Sequence, residues 1–214
     1  MINRKFSSLP LVYPIVNLDT IGDSLGYVRK LLELNVTMLQ LRAKNKQDHE
    51  LIAAAQAIVN LRNEFVRMNG GTIQVIINDR PDIALLLHAD GVHLGGSDLP
   101  PNEAREMLGP QAIIGLSTHN QADILDASDD VDYLGFGPIF STTTKVPHEP
   151  VTGTALLSEA LATAPVPVVA IGGITLENII MVRRAGAQSV ALSGALEHAQ
   201  DLSTTMRQFQ AALR

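Results

Sequence analysis

Gln40, Arg42 and Lys44 have the side-chain types and spacing of an anion-binding site. In an extended strand, Gln40 and Arg42 lie on one face, and Lys44 follows just beyond on the loop. A planar guanidinium binds two phosphate oxygens at once while an ammonium acts as a point charge, so the group suits a pyrophosphate. Taken alone, Arg42 and Lys44 are equally consistent with solvated charges that end a strand.

Two aspartates, Asp79 and Asp98, form a candidate Mg²⁺ site, and each stands two residues before a proline. Mg²⁺ prefers one or two carboxylates and completes its octahedral shell with water and phosphate oxygens. Aspartate is also favoured where a helix begins, and that interpretation stays open for both residues. A transition-metal cluster that adds His93 and His119 is a further alternative, although no close pair of histidines on one helix supports it.

A second set of residues has the features of a phosphate site. The run 141–145 places hydroxyl groups ahead of Lys145, whose ammonium can neutralise phosphate charge. Glycines at 172–173 precede a helix predicted to begin near Thr175, and bare backbone N–H groups there can approach phosphate closely. Ser193 and Gly194 follow the last predicted strand. A polar loop and a tight strand-to-helix turn are the structural alternatives.

These residues lie near the ends of short β-branched runs that alternate with segments of helical period. Eight strands are predicted, at 11–16, 36–42, 72–78, 91–94, 112–116, 133–136, 167–171 and 189–192. Helical segments include 24–34, 47–68, 100–108, 154–162 and 176–185. Eight such units without a linker favour a single α/β domain over 1–214, a closed (β/α)8 TIM barrel, with a doubly wound open sheet as the alternative. Function in a barrel gathers at the carboxyl ends of the strands, where we place Asn78 and Asp79, then Asp90, His93 and Asp98, then Ser117 and His119.

Composition limits the classes of function. With 16 basic and 22 acidic residues, the net charge of −6 argues against a broad surface for nucleic acid or anionic membrane. The absence of cysteine excludes a disulfide scaffold, a thiolate nucleophile and an iron–sulfur cluster. We find no apolar stretch of membrane-span length and no signal peptide, which predicts a cytoplasmic protein. Two anion sites and a carboxylate pair suggest the joining of two phosphorylated small molecules with loss of pyrophosphate.

Along nearly its whole length, the chain resembles the thiamine phosphate synthase family, also called thiamine-phosphate pyrophosphorylase. Five motifs occur in family order and spacing. They are Gln-Leu-Arg-Ala-Lys at 40–44, Asn-Asp-Arg-Pro-Asp-Ile-Ala at 78–84, Ala-Asp-Gly-Val-His-Leu-Gly at 89–95, Gly-Pro-Ile-Phe from 137 leading into Thr142, Thr144 and Lys145, and Ala-Ile-Gly-Gly-Ile at 170–174. The resemblance implies a transferase that moves a pyrimidinylmethyl group and releases pyrophosphate.

The resemblance also implies a role for each site residue. Aminomethylpyrimidine pyrophosphate would be bound by Gln40, Arg42, Lys44, Asn78, Ser117 and Lys145, of which Arg42, Lys44, Ser117 and Lys145 would be catalytic. Mg²⁺ would lie on Asp79 and Asp98. Hydroxyethylthiazole phosphate, or its carboxylated form, would contact Thr142, Thr144, Gly173, Ser193 and Gly194. We expect a dissociative mechanism, in which pyrophosphate departs before the thiazole nitrogen captures the pyrimidine methylene cation.

Several questions stay open on the sequence. Gly96 stands where the family often has glutamine, and ungapped counting puts Gly194 where the family has serine, with Ser193 adjacent. The first strand ends Val16-Asn17 instead of the commoner Thr-Asp, which leaves any role of Asp19 open. Alternatives to the synthase are a thiazole tautomerase-like barrel and a non-catalytic module that binds a thiamine precursor. The chain acts alone or as a homodimer, and the loop 141–150 is expected to close over substrate.

Overall fold

Eight parallel strands form a closed barrel in the order in which they occur along the chain. The structure, a computed structural model, describes residues 6, 8–127, 129–142 and 150–214. The strands are β1 (Val12–Asn17), β2 (Met38–Arg42), β3 (Gln74–Asn78), β4 (Gly91–Leu94), β5 (Ile113–Thr118), β6 (Tyr133–Phe136), β7 (Val168–Ile171) and β8 (Val190–Leu192). Because β1 pairs with both β2 and β8, the sheet has no open edge, and the predicted barrel is confirmed over the open-sheet alternative.

Helices cover the outside of the barrel. They are α1 (Ser24–Glu33), α2 (Asp48–Asn69), α3 (Pro81–Leu86), α4 (Pro101–Leu108), α5 (Gln121–Leu125), α6 (Gly153–Thr163), α7 (Ile179–Arg184), α8 (Gly194–Glu197) and α9 (Leu202–Leu213). Helices α1, α2, α4 and α6 agree with the predicted segments to within one residue at each end, whereas the twelve-residue α9 was not among those segments. The short α3, α5 and α8 were not among the predicted segments, because one or two turns carry too few residues to show a period. Within the described ranges, no helix is both long and apolar enough to cross a membrane.

Alternate residues of each strand belong to two different cores. In β2, the buried Leu39 and Leu41 join the layer between sheet and helices, while the buried Met38 joins the barrel interior. Eight fully or nearly fully buried side chains fill that interior, namely Tyr13, Ile15, Met38, Ile76, Ile113, Tyr133, Val169 and Ala191. The interior is therefore packed, so we expect a ligand to bind above it, where the strands end.

Two aspartates tie the amino ends of the strands to the helix layer. Asp132, just before β6, accepts a backbone hydrogen bond from Ile114 at 2.8 Å and pairs with Arg105 at 2.7 Å. Asp90, just before β4, accepts one from the Val75 N–H at 2.8 Å and pairs with Arg62. Our placement of Asp90 with the functional residues was wrong, because it precedes its strand and lies at the opposite end of the barrel.

The Asp132→Ala variant is expected to lose about 3–5 kcal/mol of unfolding free energy, because Arg105 would be left with an uncompensated buried charge. Urea unfolding followed by circular dichroism measures the loss. The matched control is Asp48→Ala, which removes an exposed carboxylate from a surface pair with Arg80 and should change stability far less. Equal losses in the two variants would show that the burial of the Asp132 pair has no special importance.

Candidate active site

The predicted anion-binding residues lie together at the carboxyl end of β2. Gln40 is only 2% exposed and lies deepest, and its amide nitrogen donates to the Tyr13 hydroxyl at 3.3 Å. Arg42 is the half-buried last residue of the strand. Lys44 follows on the loop with 47% of its side chain exposed, and its ammonium forms an ion pair with the Asp79 carboxylate. The three side chains thus run from the barrel interior to solvent along one strand end.

Asp79 and Asp98 form the carboxylate pair that the sequence suggested. Asp79 follows β3, and its backbone N–H donates to the His93 carbonyl at 2.8 Å, which ties the end of β3 to that of β4. Asp98 follows β4, and its carboxylate accepts the Gly95 N–H at 2.7 Å. Burial raises the pKa of Asp98, and the neighbouring Asp79 carboxyl raises it further, while the Gly95 N–H and the Lys44 charge oppose the rise. Two carboxylates that disfavour each other's charge form a site that a cation would relieve.

Neither aspartate begins a helix, so the helix-entry alternative is wrong for both. Arg80 is the residue before α3 and Pro100 the residue before α4, and neither cap position shows a side-chain cap hydrogen bond. Asp79 instead adopts a left-handed backbone conformation, with φ of 62°. This conformation is uncommon outside glycine, although aspartate and asparagine tolerate it better than most residues.

The transition-metal alternative receives no support from the described part of the chain. No group of three or more histidine, aspartate or glutamate side chains there is placed to hold a metal ion. His93 is hydrogen-bonded through its two ring nitrogens to Tyr133 and Ser117, each at 3.0 Å. The Nδ1 atom of His119 contacts the Gly137 carbonyl instead. A site built from the carboxylate pair alone suits a hard cation such as Mg²⁺.

Asp19 is a site residue whose role the sequence left open. Its half-buried carboxylate accepts the backbone N–H of Lys44 at 2.8 Å and that of Asn45 at 3.2 Å. The loop after β1 therefore holds the loop after β2 in place. Because the Lys44 backbone is fixed in this way, its ammonium is directed towards the barrel mouth, where it meets Asp79.

Replacing Asp19 by alanine is expected to raise the KM for the pyrophosphate substrate about tenfold or more, because charged acceptors of backbone hydrogen bonds contribute about 1.5–3 kcal/mol. Steady-state kinetics with each substrate varied in turn measure the change. Asp23→Ala is the matched control, since Asp23 lies in the same loop but only caps α1 by accepting the Gly26 N–H at 2.9 Å. Equal KM values for the Asp19 variant and wild type would contradict a role in placing Lys44.

Two polar atoms at the strand ends lie buried without a hydrogen-bond partner among the described residues. They are the amide nitrogen of Asn78, the last residue of β3, and the hydroxyl of Ser193, which follows β8. Buried donors without partners are costly, and such atoms in a cleft are consistent with a ligand that completes them. Among the described residues the Ser193 hydroxyl thus has no partner, and Gly194 has no such group, so Ser193 is the candidate counterpart of the family serine.

The glycine pair at 172–173 forms a tight turn and not a helix start. Gly172 and Gly173 have φ of 97° and 64°, and a Cβ on Gly173 would lie only 2.4 Å from the Ser141 carbonyl. The helix predicted to begin near Thr175 begins at Ile179, because Asn178 accepts the Thr175 N–H and donates to the Gly173 carbonyl, each at 2.8 Å. The helix-terminus argument for phosphate at this turn was therefore wrong, although the turn lies at the expected strand end.

The remaining predicted residues divide between described and undescribed parts of the chain. Ser117 lies in β5 near its carboxyl end and bonds to His93. Thr142 is half-buried and follows Ser141, whose carbonyl lies against the turn at 172–173. Thr144 and Lys145 lie outside the described residues, and so does most of the loop expected to close over substrate.

Comparison with known proteins identifies the family. The family model described as thiamine monophosphate synthase matches residues 12–196, which is most of the chain. The chain belongs to the thiamine monophosphate synthase family. The matched range contains every residue that we assign to the site, from Asp19 to Gly194.

Individual proteins that are similar to this chain have names that agree with the family. A thiamine-phosphate synthase from Vibrio campbellii is 41% identical over 81% of the chain and 83% of its own length. A thiamine-phosphate synthase from Synechococcus sp. (strain CC9311) is 43% identical over 81% of the chain but only 48% of its own length, so the chain spans about half of that relative. Among solved structures, a thiamine phosphate pyrophosphorylase from Pyrococcus furiosus superimposes with a TM-score of 0.80 at 30% identity, covering 94% of each chain.

Proposed function

We propose that the chain, acting as one barrel domain over 1–214, is a thiamine phosphate synthase. It condenses aminomethylpyrimidine pyrophosphate with hydroxyethylthiazole phosphate, or the carboxylated thiazole, to give thiamine phosphate and pyrophosphate. The family match over residues 12–196 carries this conclusion. Cations and carboxylates lie together at one end of the barrel, which fits a substrate that carries a pyrophosphate group.

The pyrophosphate substrate is assigned to the ends of β2, β3 and β5. Arg42 and Lys44 bind its phosphate oxygens, together with Lys145 from the loop after β6. Gln40, Asn78 and Ser117 orient the pyrimidine end and the bridging oxygens through hydrogen bonds. The amide nitrogen of Asn78 has no hydrogen-bond partner among the described residues, which supports this assignment, because a bound ligand would supply the acceptor.

Asp79 and Asp98 would hold Mg²⁺. The donor set fits, since two carboxylates within hydrogen-bonding reach of each other suit a hard cation whose other ligands are water and phosphate oxygens. When bound, Mg²⁺ supplies positive charge that stabilises the pyrophosphate leaving group. Lys44, already paired with Asp79, places a second positive charge beside the same oxygens.

The thiazole phosphate is assigned to the opposite side of the barrel mouth. Ser193 and Gly194 follow β8, and Gly173 lies in the turn after β7. Thr142 and Thr144 come from the loop after β6 and add hydroxyl donors. Barrels commonly bind phosphate after their last two strands. The Ser193 hydroxyl, which has no hydrogen-bond partner among the described residues, fits that position.

The reaction breaks one bond and forms another without a protein nucleophile. The bond between the pyrimidine methylene carbon and pyrophosphate oxygen breaks, and the electron pair leaves with pyrophosphate. Arg42, Lys44 and Lys145 stabilise that charge, an effect that contributes several kcal/mol in comparable sites. The thiazole nitrogen then bonds to the methylene cation, so the positions of the two substrates govern the rate.

Small phosphorylated molecules are the proposed partners, and the proposed location is the cytoplasm. The net charge of −6 supports neither nucleic acid nor an anionic membrane as a partner. The proposed oligomeric state is a monomer or a homodimer, and the sedimentation coefficient of the purified protein distinguishes the two.

Product analysis with the purified protein tests the proposal. Both substrates with MgCl₂ should give thiamine phosphate, identified by chromatography against a standard. Conversion of the carboxylated thiazole phosphate into an isomer, with no joined product, would support the tautomerase alternative. Binding of either substrate without any turnover would support a non-catalytic module.

A further inference from the structure

Five buried or half-buried side chains form a continuous hydrogen-bonded series across the barrel interior, which we name the interior chain. It runs from Gln40 to Tyr13, Tyr133, His93 and Ser117. The first contact measures 3.3 Å and the other three measure 3.0 Å each. The end residues, Gln40 and Ser117, are ones that we assign to the pyrophosphate substrate. The central residues, Tyr13, Tyr133 and His93, are not assigned to either substrate.

The backbone makes room for the interior chain. A Cβ at Gly115 would lie 2.2 Å from the Tyr133 ring and 2.5 Å from Nδ1 of His93, so only glycine leaves space for both rings. The His93 and Tyr133 rings stack with centroids 5.4 Å apart, and Tyr13 meets Tyr133 edge-on at 5.9 Å. These contacts fix the rings, which gives each hydrogen bond a defined geometry.

The heavy atoms allow donation along the interior chain in two directions. In the forward direction the Tyr13 hydroxyl accepts from the Gln40 amide and gives its own proton to Tyr133. Tyr133 would then give its proton to Nδ1 of His93. Burial raises the pKa of both tyrosines, so each hydroxyl keeps its proton.

The reverse direction satisfies fewer groups. If His93 donated from Nδ1 to Tyr133, and Tyr133 to Tyr13, the Tyr13 oxygen would receive protons from both neighbours. Its own proton would then have no acceptor among the described side chains of the interior chain, although Tyr13 is fully buried. Leaving a buried donor unpaired is unfavourable, so the forward direction is preferred.

We propose that the interior chain holds His93 in the tautomer protonated on Nε2, which makes Ser117 a hydrogen-bond donor to the pyrophosphate substrate. In this arrangement the Nε2–H donates to the Ser117 oxygen, and the Ser117 proton is left for an acceptor atom of the ligand. Tyr133 and His93 are therefore positioning residues that act through Ser117. The ligand part of the inference rests on the proposed function, whereas the tautomer does not.

Nitrogen NMR of the resting protein tests the tautomer without any activity. With ¹⁵N-labelled histidine, the His93 signals are assigned by their loss in His93→Gln. We expect an unprotonated Nδ1 and a protonated Nε2 near neutral pH. A proton on Nδ1, in either the opposite tautomer or the doubly protonated ring, would overturn the proposal even if the enzyme is active.

Kinetics of Tyr133→Phe test the link to Ser117. This variant removes the donor to Nδ1, and we expect the KM for the pyrophosphate substrate to rise about five- to tenfold, the size of one lost hydrogen bond. The chain has three tyrosines, and Tyr27→Phe on α1, outside the barrel interior, is the matched control. In a Ser117→Ala background, Tyr133→Phe should raise KM no further.

The outcomes separate this inference from the proposed function. An equal KM increase in both backgrounds would show that Tyr133 acts without Ser117 and would overturn the inference while leaving the synthase intact. Absence of turnover in wild type would refute the proposed function, and the NMR result would still decide the tautomer. If Tyr133→Phe fails to fold, the NMR spectra of wild type and His93→Gln still decide the tautomer, and a proton on Nδ1 still overturns the proposal.

Discussion

Asp98→Ala is expected to lower kcat/KM by at least about a hundredfold, because it removes half of the carboxylate pair that would hold Mg²⁺. Asp79 would then be left with Lys44 as its ion-pair partner, and one carboxylate already paired to an ammonium is a poor cation ligand. The raised pKa of Asp98 supports the same point, since it reflects burial beside a second carboxyl.

Rates measured across a range of MgCl₂ concentrations distinguish a metal role from a structural one. We expect the Mg²⁺ concentration for half-maximal rate to rise in Asp98→Ala and, less strongly, in Asp98→Asn, which keeps the shape of the side chain. Asp82→Ala is the control, since Asp82 pairs with Arg80 at the surface. An unchanged Mg²⁺ dependence in Asp98→Ala would remove Asp98 from the proposed metal site.

Arg42→Ala should lower kcat/KM by about a hundredfold, because the guanidinium is the group best suited to bind two oxygens of the leaving pyrophosphate. Arg42→Lys keeps the charge but loses the planar fork, so it should recover only part of the rate. Steady-state kinetics with the pyrimidine substrate varied, and with pyrophosphate as product inhibitor, measure both effects.

Arg80 provides the matched control for Arg42. It also lies at the carboxyl end of the barrel, directly after Asp79, but its guanidinium is paired with Asp48 and Asp82. Arg80→Ala should therefore keep kcat/KM within a few-fold of wild type. If kcat/KM fell as much in Arg80→Ala as in Arg42→Ala, the effect would not be specific to Arg42, and the assignment of Arg42 to the leaving pyrophosphate would be contradicted.

The strand that carries Gln40 and Arg42 was predictable because the strand period of two is visible in the sequence. All eight strands were predicted to within two residues of their observed bounds, since β-branched runs between turn residues mark them clearly. Asp90 was misplaced although β4 was predicted with its observed bounds, because Asp90 precedes that strand and the carboxyl end of the strand is Leu94. Similarly, the start of α7 depended on the hydrogen bonds of Asn178, which no helical period reveals.

Long-range hydrogen bonds could not be predicted from the sequence. Asp19 accepts the backbone N–H groups of Lys44 and Asn45, which are 25 and 26 residues away in the sequence. Every residue type except proline has a backbone N–H, so the sequence does not indicate which of these groups a distant carboxylate will bind. Tyr13 and Tyr133 are 120 residues apart in the sequence, and their hydroxyls form a hydrogen bond. The sequence pattern around each tyrosine predicts only a core residue in a strand. Only the closed barrel brings them together, so the interior chain follows from the topology and not from any local pattern.

The most direct test of the proposed function is the stoichiometry of its two products. Purified protein is incubated with aminomethylpyrimidine pyrophosphate, hydroxyethylthiazole phosphate and MgCl₂, and pyrophosphate and thiamine phosphate are quantified in the same samples. We expect the two to form in equal amounts, with little of either when one substrate is omitted. Release of pyrophosphate without thiamine phosphate, or formation of neither, would contradict the proposal that the chain is a thiamine phosphate synthase.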